Sequence, residues 1–102
     1  MVKCKITVLK RTFHPEFAEE YCKDPQTGIC TAFVEGDEFI TESSTVMPDG
    51  FCHYAWIDLH RILLALMAGG NFGTWMKDEK TNIVCCTDGI RPVIFKLERI
   101  EE

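Results

Sequence analysis

Cysteine is the residue type in this chain with the widest chemical reach. Six are present among 102 residues: Cys4, Cys22, Cys30, Cys52, Cys85 and Cys86. A thiolate is a nucleophile, a redox centre and a soft metal ligand. Spacing alone does not choose among these roles. No pair forms the C-x-x-C knuckle of zinc ribbons, and the bacterial ferredoxin run is absent. Position says more. Cys22 and Cys30 bracket CKDPQTGIC, a turn-rich loop that can bring two sulfurs to one place. Cys52 falls in the first turn of the longest helical pattern, where the macrodipole and free amide groups stabilise a thiolate. Cys85 and Cys86 stand beside the turn signal Asp88-Gly89. Neighbours on an extended strand point to opposite faces, so one of the two would face a shared site. Cys85 is preferred, because it shares a face with Ile83. Cys4 lies in an alternating apolar strand pattern and reads as a packing residue.

Three functions follow. The preferred one is metal or iron–sulfur binding by Cys22, Cys30, Cys52 and Cys85, with Cys86 as the alternative to Cys85. Four thiolates suit a cluster or a zinc ion, serving electron transfer or a partner enzyme. The second is a thiol-based redox or sulfur-handling enzyme with Cys52 as nucleophile and a neighbouring cysteine resolving it. His53 is then the candidate general base, although adjacent helical residues diverge by about 100°, which works against direct contact. In the third, no cofactor is bound, the cysteines are packing residues, and the protein is a non-catalytic interaction module whose apolar helix pairs with a second copy. His60 reads as a partly buried histidine with a satisfied hydrogen bond, and it stands two turns from His53 rather than at the i, i+4 spacing of a metal pair. Arg91, just after the turn, would clamp an anionic group or stand solvated. Tyr54, Trp56, Phe72 and Trp75 read as core.

The elements that must hold these residues are legible in outline. Val2–Leu9 alternates as a half-buried strand with Val2, Cys4, Ile6 and Val8 on one face. His14–Tyr21 reads as a short helix with Pro15 at its first position and Phe17 and Tyr21 pinning it to the body. Residues 31–42 read as strand, tight turn at Glu35-Gly36-Asp37, then strand, with Phe33 and Phe39 as core candidates. The stretch 47–70, MPDGFCHYAWIDLHRILLALMAGG, is the main helix. Its apolar positions Cys52, Ala55, Trp56, Leu59, Ile62, Leu63, Leu66 and Met67 fall at helical spacing, with start signals at Pro48-Asp49 and stop signals at Gly69-Gly70. So thin a polar stripe predicts burial on more than one side. Trp75 and Met76 should open a strand and Ile83–Cys86 form another. Asp88-Gly89 should make a tight hairpin into a last strand, Val93–Ile100. The sum is one α+β domain over 1–102: a small, mainly antiparallel sheet, one main helix packed on it, and a short helix near the N-terminus.

The totals set limits. The balance of 11 basic and 16 acidic residues, net −5, argues against a nucleic-acid surface. No apolar run approaches the roughly 20 residues of a membrane span. The N-terminus alternates and lacks a small-residue cleavage site, so it reads as a strand and not a signal peptide. A cytoplasmic, reducing compartment is expected, in which metal or thiol chemistry outranks a disulfide framework.

The segments VKCKITVLKRT, EYCKDPQTGIC, FVEGDEFI, MPDGFCHYAWIDL, MAGGNFGTWM and CCTDGIRPVIFKLERIEE cover nearly the whole chain. Together they resemble a family of small cysteine-containing proteins of anaerobic bacteria and archaea. The resemblance carries no activity, substrate or cofactor with it. It implies cysteines at the positions of Cys22, Cys30, Cys52, Cys85 and Cys86, hence a cysteine-centred site, with Cys4 as this chain's own variation. An anaerobic setting would suit an oxygen-sensitive cluster.

Overall fold

The structure is a computed structural model and describes residues 2–101. Four strands and two helices follow in the order β1 (Val2–Arg11), α1 (Pro15–Tyr21), β2 (Glu38–Thr41), α2 (His53–Met67), β3 (Thr81–Cys85) and β4 (Val93–Glu101). The strands form one antiparallel sheet in the order β2-β1-β4-β3. The expected α+β architecture is what the chain adopts.

Alternation builds the layers. Cys4, Ile6 and Val8 of β1 and Val93, Phe95 and Leu97 of β4 are buried on one face of the sheet. The helix α2 lays Ala55, Leu59, Leu63 and Leu66 against them, and Cys52, Trp56, Ile62 and Met67 flank that stripe. The other face of the sheet is mixed: Lys3 to Glu42, Lys5 to Glu38 and Lys96 to Glu98 pairs at 3.6, 3.2 and 3.3 Å stand among Ile40, Ile83, Ile94 and Ile100, none of them buried. The sheet is therefore covered on one side only.

Several expectations need correction. Burial of α2 on more than one side is not found: Tyr54, Ile57 and Leu64 are 79%, 64% and 50% exposed. A single sheet face can cover only one stripe of a helix. Residues 31–34 form no strand, although the turn at Gly36 is present with φ +91°. Phe33 is nonetheless buried, stacked edge-on against Phe95 and Phe51 at 5.2 and 5.1 Å, so it anchors an irregular loop. Phe17 and Tyr21 of α1 are exposed and do not pin that helix, of which only Ala18 is buried. Trp75 lies in a turn and opens no strand; it is exposed, as is Tyr54, while Trp56 and Phe72 are partly buried. The Asp88-Gly89 pair makes no tight hairpin, since neither residue has positive φ. A loop over 86–92 joins β3 to β4 instead, and the Asp88 carboxylate organises it by accepting the N–H groups of Ile90 and Arg91 at 2.9 and 3.2 Å.

Candidate functional site

Three segments far apart in sequence meet at the N-terminal end of α2. The first is the irregular loop before β2. Arg11 holds it by donating from Nη1 to the Cys30 carbonyl at 2.9 Å and from Nε to Glu35 Oε1 at 2.9 Å. The second is the start of α2, whose N-cap is Cys52; no side chain caps the first turn, and no acidic residue lies in it. The third is the loop after β3. Thr87 donates its backbone N–H and its hydroxyl to the Asp58 carboxylate at 2.8 and 3.0 Å, tying this loop to α2.

Between the three lies a cleft of about 340 Å³. Cys30, Cys52 and Cys86 line it, over an apolar floor of Phe33, Ala55 and Val93, with Tyr54, Asp58, Asp88 and Arg91 around them. Its size is that of a small-molecule pocket. Two of the sulfurs accept backbone N–H groups: Cys30 Sγ from Ala32 at 3.4 Å, and Cys86 Sγ from Val93 at 3.3 Å. All six cysteines are free thiols.

Of the residues singled out in the sequence, Cys30 and Cys52 line the cleft, and Cys86 does so in place of Cys85. Register explains the exchange. Ile83 and Cys85 do share a face, but it is the face turned away from α2. Val84 lies opposite Phe95, and the next inward position falls to Cys86, whose N–H bonds the Val93 carbonyl at 3.0 Å. Cys85 is exposed and donates its thiol to the Cys86 carbonyl at 3.1 Å. Partial burial, then the neighbouring Cys86 and Asp58, push its thiol above the usual range. Cys22 caps the end of α1 and does not reach the cleft. The set Cys22, Cys30, Cys52 and Cys85 is thus not assembled. Among the described residues, no three His, Cys, Asp or Glu side chains converge closely enough to hold a metal ion.

His53 turns to solvent, one helical step away from Cys52, and does not line the cleft. His60 is the expected satisfied histidine, partly buried with Nε2 2.6 Å from the Ser44 carbonyl. Cys4 is the expected packing residue. Burial pushes its thiol up from 9.0 to about 12, against a lowering hydrogen bond to the Glu98 backbone and aided by the Glu98 charge. Burial acts to raise the Asp88 carboxyl, but the Ile90 and Arg91 N–H groups and the Arg91 guanidinium outweigh it and hold the group below its ordinary value. Asp58, Thr87 and Asp88 were missed as site residues. An acid and a threonine 29 positions apart give no local signal.

No protein-family model, curated protein or solved structure matches this chain. No helix among the described residues is long and apolar enough to cross a membrane.

Proposed function

We propose that this protein performs thiol chemistry in the cleft, as a redox or sulfur-handling protein whose nucleophile is Cys52. One observation carries the reading: Cys30, Cys52 and Cys86, from three separate segments, line a single cavity. Cys4 is fully buried, whereas Cys30, Cys52 and Cys86 pack at the edge of the core and stay part-exposed around one opening.

The chemistry runs as thiol–disulfide exchange. The Cys52 thiolate attacks one sulfur of an incoming disulfide. A new S–S bond joins Cys52 to that sulfur, the old S–S bond breaks, and the other sulfur leaves as a thiolate. A second cleft thiolate, Cys30 or Cys86, then displaces the bound sulfur. The protein ends as a disulfide, having given up two electrons and two protons, and the substrate ends as two thiols. An external dithiol reverses the protein's oxidation. Cys52 is assigned the first step because it is the N-cap of α2, where the cleft begins, and shares that cleft with Cys30 and Cys86.

Timed alkylation with mapping by mass spectrometry tests the assignment. Cys52 should label first, and Cys52→Ser should abolish turnover of small disulfides while Cys22→Ser preserves it. Labelling of Cys52 no faster than that of the exposed Cys85 would count against the reading.

A second reading keeps the cleft thiols Cys30, Cys52 and Cys86 as ligands of an iron–sulfur cluster or zinc ion. Iron and sulfide analysis of protein purified without oxygen decides between this and free thiols. Either reading suits a reducing, cytoplasmic setting, and both suit the resemblance to a cysteine-containing family of anaerobes. A protein partner or a second copy would fit the exposed Tyr54, Ile57 and Leu64 stripe of α2; sedimentation of Ile57→Glu beside the parent chain tests that association.

A further inference from the structure

We infer that the cleft selects small disulfides that carry a carboxylate, and that Arg91 is the residue that recognises this group. The inference rests on the thiol reading above and names its substrate class.

Arg91 lines the same cavity as the three thiols. Among the described residues its side chain has one attachment, and a weak one: Nε reaches Asp88 Oδ2 at 3.4 Å. Both Nη groups are without a partner among the described residues. A guanidinium fork left open in this way matches the two oxygens of a carboxylate.

The acidic groups around the cavity do not compete for the fork on equal terms. Asp58 already takes two donors from Thr87, and Asp88 takes the N–H groups of Ile90 and Arg91. What the cavity still offers an incoming ligand is Arg91, the uncapped amide groups at the start of α2 and an apolar floor. Each suits one part of such a molecule: the carboxylate on Arg91, the short carbon chain on Phe33, Ala55 and Val93, and the S–S bond at the thiols. The chain is net −5, so an anion gains nothing from the overall charge and depends on this local cation.

In the reaction, Cys52–S⁻ attacks the disulfide R–S–S–R, where R ends in a carboxylate. The products are Cys52–S–S–R and R–S⁻, which takes a proton from water. No further reactant is needed to reach the mixed disulfide.

The test compares two disulfides of like size, the dianionic dithiodiglycolate and the neutral bis(2-hydroxyethyl) disulfide. The second-order rate of mixed-disulfide formation at Cys52 is followed by mass spectrometry on the full chain. Arg91→Gln should slow the dianion about tenfold, the range expected for loss of a charged hydrogen-bonded pair. The same variant should leave the neutral disulfide unchanged. Arg91→Lys should restore part of the rate, since it keeps the charge and loses the fork. A drop of equal size for both disulfides, or for neither, overturns the role of Arg91 and leaves the thiol reading standing. Failure of both disulfides to modify Cys52, while they modify Cys85, overturns the thiol reading and this inference with it.

Discussion

The two ends of α2 are built in opposite ways. The C-terminal end is closed. Gly69, at φ +96°, donates to the Leu66 carbonyl at 3.1 Å, and Gly70 donates to Ala65 at 2.8 Å, the paired bonds of a Schellman cap. A Cβ on Gly70 would stand 2.7 Å from the Ala65 oxygen, so no other residue fits there. Arg99 of β4, with a side chain only 7% exposed, adds its Nη1 to the carbonyls of Leu66 and Gly70 at 2.9 and 2.7 Å. Its register partner on β1 is Cys4, sealed in the core. The N-terminal end is open: Cys52 caps it without a side-chain bond, and the cleft begins there. The helix thus spends its polar groups at one end on cohesion and leaves them available at the other. Two cysteines differ accordingly: Cys4 is sealed in the core and Cys86 faces a cavity.

The comparison can be broken from the closed end first. Arg99→Ala removes two charge-assisted bonds, to the Leu66 and Gly70 carbonyls, and should destabilise the fold by about 2–4 kcal/mol in urea unfolding. The order in which the cleft thiols label should not change. If that order changes, the two ends are coupled and the contrast fails.

Cys4 gives a pH signature of the same closed end. Its thiol titrates at about 12 in the folded chain against 9.0 when free, so between those values the folded state keeps a proton that the unfolded state has lost. Its contribution is therefore fully present below pH 9 and falls as pH rises toward 12, with a slope of up to about 1.4 kcal/mol per unit. Cys4→Ala should flatten that slope in unfolding curves taken across this alkaline window.

At the open end, Asp58→Ala cuts the clasp to Thr87. The clasp is partly exposed, so the loss should be about 1 kcal/mol. The sharper readout is alkylation: Cys86 should label severalfold faster once its loop is released, while Cys30, held by Arg11, keeps its rate. The smallest effect belongs to the helix flank. Leu64→Gln, at a 50% exposed position, should change stability by no more than about 0.5 kcal/mol. A larger loss in calorimetry would mean that this flank is covered in solution.

Periodicity exposed much of this molecule. The alternation of Cys4, Ile6 and Val8 and the helical spacing of Ala55, Leu59, Leu63 and Leu66 identify the buried faces correctly, because burial repeats with the geometry of the element. The stop at Gly69-Gly70 is equally local, since a helix cap is made by residues in contact along the chain. Turn chemistry misled where a longer loop was available. Asp88-Gly89 suggests a two-residue turn, yet the Asp88 side chain organises a loop of a different kind. Phe17 and Tyr21 have the right spacing to pack, but the sheet offers no surface beneath them.

The sequence by itself determined the α+β class, the core stripe of α2, the packing role of Cys4 and the gathering of cysteines near the ends of elements. These follow from local periods and propensities. Only the tertiary structure decided which sulfurs share a cavity. That choice depends on the register of β3 against β4, which turns Cys86 inward and Cys85 outward. It depends also on the bonds from Arg11 to Cys30 and from Thr87 to Asp58, which join residues 19 and 29 positions apart. A one-residue shift in pairing reverses the face of every side chain on a strand, and no local pattern in TNIVCC fixes that register.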